Sequence, residues 1–98
     1  VDLLTRIGDG LRSEAGQVQV LGHSDNQPIR TVQFPSNFEL SAARAEAARR
    51  ILARSAGQAE RFTAVGRADT EALAGNNTPE GREANRRIEI VLSRGTGR

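Results

Sequence analysis

His23, Ser24 and Asp25 stand in a row near the start of this 98-residue chain and invite a catalytic reading. Successive side chains on an extended chain point in alternating directions, so these three cannot relay a proton among themselves. His23 is the only histidine, so any other base would have to be a carboxylate. No nucleophile–base pair can be assembled from this inventory, and no catalytic residue is assigned. A metal centre is equally poorly supplied, with one His, zero Cys and Asp25 the only nearby ligand type. No Gly-rich phosphate loop occurs, and no cofactor is expected. His23 is read as a structural residue that hydrogen-bonds across the start of a loop.

Arg44 is the second candidate. With Leu40 at 0° and a helical step of about 100° per residue, Ala43, Ala47 and Ile51 fall within about 60° of it and Arg44 at about 40°. Arg49 points to the opposite side. An Arg inside an apolar stripe needs a partner, because a buried unpaired charge is strongly unfavourable. From the second turn its guanidinium can reach back to the preceding loop, which offers Asp25. Arg44 then either closes an internal salt bridge or bonds loop carbonyls, and Asp25 accepts N–H bonds in its own turn. Alternatively the two form a ligand site, one anionic acceptor and one planar fork donor, a pair that suits a zwitterion. Asn85-Arg86-Arg87 reads as a solvated basic edge.

The elements that must position these residues follow from periodicity. Leu3, Leu4, Ile7 and Leu11 make one apolar stripe on a first helix within residues 1–15. Residues 17–22 alternate polar and apolar as a strand does. A polar loop with Pro28 and Pro35 follows over residues 23–35. Ser36-Asn37-Phe38-Glu39 has the form of a capping box and opens a long helix over 37–55, closed by Gly57. Residues 62–66 are a second strand, 67–77 a loop, and Thr78-Pro79 starts a short helix running to about residue 86. Residues 88–92 are a third strand, and 93–98 a frayed tail. Helices alternating with strands argue an α/β (α+β) sandwich, in which the long helix crosses over between parallel strands. Period-two alternation turns Val18, Val20, Phe62, Ala64, Ile88 and Ile90 towards the helices.

Composition fits one folded domain over residues 1–98. Hydrophobic residues make up 37% and charged residues 27%, the balance of a chain able to form a core. No apolar run approaches the ~20 residues that span a bilayer, and no signal segment opens the sequence. The 14 basic and 12 acidic residues leave a net charge of +2. All the basic residues are Arg, which explains a pI of 10.9 without nucleic acid. Phe34, Phe38 and Phe62 are the only aromatics, too few for a base-stacking platform. No nucleic-acid partner is expected.

Three segments, taken in order, resemble a known family. Gly22-His23-Ser24-Asp25-Asn26 resembles the GHTD loop of OmpA-like peptidoglycan-binding domains, with Ser where Thr is commoner. Asn37-Phe38-Glu39-Leu40-Ser41-Ala42-Ala43-Arg44-Ala45 matches their N-x-x-L-S-x-x-R-A motif. Asn85-Arg86-Arg87-Ile88-Glu89-Ile90 matches their closing N-R-R-[VI]-x-[VI] motif. The resemblance covers residues 17–93. Asn26-Gln27-Pro28-Ile29-Arg30-Thr31 and Phe34-Pro35-Ser36-Asn37 look like the inserted loop of two inner-membrane groups. These are the TssL (DotU-like) component of type VI secretion and the flagellar stator protein MotB. Gly66-Arg67-Ala68-Asp69 leans towards the secretion component.

The resemblance implies an OmpA-like fold, with helices packed on one small mixed sheet and the usual first strand missing or lying upstream of Val1. It implies that Asp25 binds the ammonium of meso-diaminopimelate in the peptidoglycan stem peptide and Arg44 its carboxylate. Asn37 would frame the same pocket, Arg87 rather than Arg86 would reach it, and Gln27 is a further candidate in the lengthened loop. The implied partners are peptidoglycan and other subunits of an envelope complex, with a homodimer also allowed. The implied location is the periplasmic side of an inner-membrane protein whose membrane-spanning helix precedes this domain. An oligomerisation or docking domain without wall binding is the alternative to a wall anchor.

Overall fold

The computed structural model describes residues 2–27 and 34–93. Most of the inserted loop and the expected frayed tail lie outside them. The chain order is α1 (Asp2–Leu11), β1 (Gln17–His23), α2 (Asn37–Ala56), a 3₁₀ turn (Ala59–Arg61), β2 (Phe62–Ala68), α3 (Pro79–Asn85) and β3 (Ile88–Ser93). The three strands form one mixed sheet in the order β2-β1-β3. β1 runs parallel to β2 and antiparallel to β3. The long helix is therefore the crossover between parallel strands, as its place in the chain implied.

Ser36 caps α2: its hydroxyl accepts the Phe38 N–H at 3.2 Å and donates to the Glu39 carboxylate. The Ser36 hydroxyl above all, with backbone N–H donors, holds Glu39 below the usual carboxylate range. At the other end Gly57 takes the left-handed conformation (φ 81°) and returns its N–H to Ala53, a geometry that costs glycine little. Thr78 caps α3 by accepting the Gly81 N–H at 3.0 Å, with Pro79 in the first turn.

The core joins Leu11, Val18, Val20, Ala45, Ala48, Leu52, Ala53, Ala56 and Phe62. Val18, Val20 and Phe62 are buried as alternation requires, and Ala64 and Ile90 pack against them partly buried. Ile88 does not follow: it lies 37% exposed. It stands opposite Gly22 at the start of the edge strand, which has a neighbouring strand on one side only.

The packed face of α2 also differs from the expected stripe. Ser41, Ala45, Ala48, Leu52, Ala53 and Ala56 face the sheet, whereas Ala43, Arg44 and Ala47 are exposed. The true face lies about a third of a turn away from the Leu40–Ile51 stripe. The helix carries alanine on every side, so hydrophobicity alone does not choose among its faces. Backbone proximity chooses. A Cβ on Gly22 would overlap the Ser41 carbonyl oxygen, and one on Gly66 would stand 2.6 Å from the Ala42 nitrogen and 2.7 Å from the Phe38 carbonyl oxygen. Two glycines on adjacent strands thus let α2 lie directly on the sheet.

Candidate functional site

β1 ends at His23, and the chain leaves the sheet through a kink. The β1–β2 register slips between Gly22 and His23, where Ala68 rather than Arg67 faces His23. Ala68 sits in the left-handed region (φ 53°), unusual for a residue with a Cβ. Its N–H donates to the Ser41 hydroxyl at 3.1 Å, and its carbonyl accepts the Ser24 N–H at 2.8 Å. Ser41, the first core-facing residue of α2, therefore fixes the bend that presents Ser24 and Asp25. The Ser24 hydroxyl donates to the Asp25 carbonyl at 2.9 Å.

Asp25 is buried, 7% exposed, beside a cleft of about 250 Å³ lined by Ser24, Asp25, Gln27, Asn37, Leu40, Arg44 and Arg86. Its carboxylate is already occupied at both oxygens. Oδ1 accepts the Gln27 N–H at 3.0 Å, and Oδ2 accepts Nη1 of Arg86 at 2.6 Å. Asn37 opens α2 and ties it to the loop, donating from Nδ2 to the Gln27 carbonyl at 2.9 Å and to the Asp25 carbonyl at 3.5 Å. Arg44 is exposed at the cleft, not buried in an apolar face, and has no ion pair or hydrogen bond among the described residues. One cleft therefore gathers Asp25, Asn37, Gln27 and Arg44, four of the five residues expected at the site.

Arg87 is elsewhere. Its Nε donates to Glu89 at 2.8 Å and its Nη2 to the Glu71 carbonyl at 3.0 Å. The Arg87 guanidinium is the main influence holding the Glu89 carboxyl below its usual range. His23, 2% exposed, approaches the other oxygen of Glu89 at 3.3 Å, and its backbone N–H bonds the Arg87 carbonyl at 2.8 Å. Alternation accounts for the exchange. Arg87 follows Glu89 and Val91 to the face of β3 away from α2, leaving Arg86 on the side of Ile88 and Ile90, where the cleft lies. Those two isoleucines carried the signal that Arg86, and not Arg87, lies on the side of the cleft. The expected hydrogen bond from the His23 ring across the loop is not made among the described residues: neither ring nitrogen has a hydrogen-bond partner there, and Nε2 faces Glu89 of β3.

Asn85 was read as part of a basic edge, yet it is fully buried. Its Oδ1 accepts the N–H groups of Leu73 and Ala74 at 2.7 and 3.0 Å. Its Nδ2 donates to the Ala74 carbonyl at 3.0 Å and to Asn76 Oδ1 at 2.9 Å. Asn76 Oδ1 also accepts the Asn26 N–H at 3.3 Å, so the loop before α3 braces the loop that carries Asp25. Nothing in local sequence marks these contacts, which span up to 50 residues.

The fold and the cleft define a small α/β binding module, with a carboxylate and two guanidiniums at the end of its central strand. Residues 2–86 match the OmpA family, and the chain belongs to that family. It is similar to the structure of the cell wall anchor of the type VI secretion system from Pseudomonas aeruginosa. The two share 54% identity at a TM-score of 0.86, over 93% of this chain and 64% of that one. It is 40% identical to motility protein B of Bacillus subtilis, over 74% of this chain and 28% of that protein. It is 32% identical to the peptidoglycan-binding protein ArfA of Mycobacterium tuberculosis, over 94% of this chain and 27% of that protein. The chain spans less than two fifths of the length of the curated relatives it matches.

Proposed function

We propose that this chain binds peptidoglycan without catalysis, holding the meso-diaminopimelate of the stem peptide, and so anchors an envelope machine to the cell wall. The observation that carries this reading is the meeting of Asp25 and Arg44 at one cleft. A diaminopimelate head group is a zwitterion and needs two opposite partners a few ångströms apart. Asp25 accepts its ammonium and Arg44 grips its carboxylate, while Asn37 and Gln27 hold the loop in place. Arg86 takes the role that sequence alone had given to Arg87. Likeness to a type VI secretion wall anchor at 54% identity favours that machine. The 40% identity to motility protein B supports a flagellar anchor as the second reading. Either assignment puts the domain in the periplasm, on an inner-membrane protein among other subunits.

Co-sedimentation with purified diaminopimelate-type peptidoglycan tests the reading. A charge-assisted bond contributes about 1.5–3 kcal/mol, and ~1.4 kcal/mol is tenfold in affinity. Arg44→Ala and Asp25→Asn are each expected to weaken binding by about tenfold while circular dichroism reports an unchanged fold. Wild type that stays in the supernatant, or two folded variants that bind as well as wild type, would leave a docking domain in its place.

A further inference from the structure

The charges at the cleft are unevenly committed. Asp25 has one oxygen on Arg86 and the other on the Gln27 N–H. Arg44 has no partner among the described residues, although it lines the same space. With Arg86 the cleft carries two guanidiniums and one carboxylate. An arriving ammonium must share Oδ2 with a resident cation or displace it, and like charges brought together repel. An arriving carboxylate meets in Arg44 a guanidinium that no acceptor among the described residues holds.

Resting on the peptidoglycan reading, we infer that the site is carboxylate-first. It selects a head group whose carboxyl is free over one whose carboxyl is a carboxamide, and tolerates loss of the ammonium far better. Arg86 occupies the ammonium position in the unliganded protein, so most of what an ammonium gains at Asp25 is offset by what Arg86 gives up. Asp25 still matters to a ligand whose carboxyl is free, because its carboxylate holds Arg86 at the cleft beside that carboxyl. The fork of Arg44 loses one of its two acceptors when the carboxylate becomes a carboxamide, together with the charge.

Three soluble stem-peptide fragments separate these contributions by calorimetric titration against the whole chain. One carries diaminopimelate with free ammonium and free carboxylate. In the second that carboxylate is a carboxamide, and in the third the ammonium is acetylated. The carboxamide is expected to bind about tenfold or more weakly than the parent, and the acetylated fragment within about threefold of it. Arg86→Gln frees Asp25 and is expected to raise affinity for the carboxamide fragment. The opposite ranking, or a carboxamide fragment that Arg86→Gln binds more weakly, overturns the inference and leaves peptidoglycan binding intact. A parent fragment that does not bind at all overturns both.

Discussion

Asn85 uses its whole amide: two backbone N–H groups arrive at Oδ1, and Nδ2 leaves for a carbonyl and for Asn76. No other side chain of similar size supplies two acceptor positions and two donors in this arrangement. Asn85→Ala would strand the Leu73 and Ala74 N–H groups and remove the support of Asn76. A buried group left without its partner costs about 1–3 kcal/mol, so the variant should unfold at least about 2 kcal/mol more easily in urea, with an unchanged slope. Residues of this kind are the least legible in sequence. Asp25 and Arg44 announced themselves by charge and spacing. Asn85 and Asn76 act through contacts that exist only once distant loops meet, and their types say nothing about where.

At the scale of elements, α2 lies on the sheet because Gly22 and Gly66 leave it room. Gly22→Ala places a methyl against the Ser41 carbonyl, which is backbone and cannot swing aside. Forcing extra bulk into such a contact costs about 1–3 kcal/mol, and the bend at Ser41 and Ala68 should loosen with it. Gly10→Ala is the matching control. Nothing lies within 4 Å of a Cβ there, and the position is within α1. Alanine in a helix interior is favoured over glycine by about 0.5–1 kcal/mol, so that variant should melt higher. Thermal unfolding of the pair reads both signs at once. Both ends of α2 and the start of α3 were legible because caps and a proline mark them locally, whereas α1, expected within residues 1–15, carries no such marks and ends at Leu11. The buried face of α2 was not, because its alanines offer the same hydrophobicity in several directions and the deciding partners are glycines on other strands.

Across the whole molecule, the cleft draws on three stretches of chain: residues 24–27, the first two turns of α2, and Arg86 just before β3. The braces reach further, through Asn76 and Asn85 to one loop and through Ser41 and Ala68 to another. Loss of the cleft should therefore coincide with loss of the core. In a urea titration followed by nuclear magnetic resonance, the Gln27 amide beside Asp25 and the Leu52 amide in mid-core should disappear along one curve. An earlier transition at Gln27 would mean that the loop opens independently. The order of elements and the parallel crossover were legible because periodicity and connection rules act on neighbouring residues. The walls of the cleft were not, since they belong to pairs that only the finished topology brings together.

Arg86 and the edge strand after it stand close to the end of the described chain. A polypeptide that emerges amino-terminus first can complete β1, α2 and β2 well before that arginine exists, yet Asp25 is without its ion-pair partner until it does. Parallel pairing of β1 with β2 already demands a slow closure across the long helix, and the antiparallel edge strand must then be added. The ion pair at Asp25 therefore closes only after β1, α2 and β2 can already have paired, and its carboxylate goes without that cation through the whole interval.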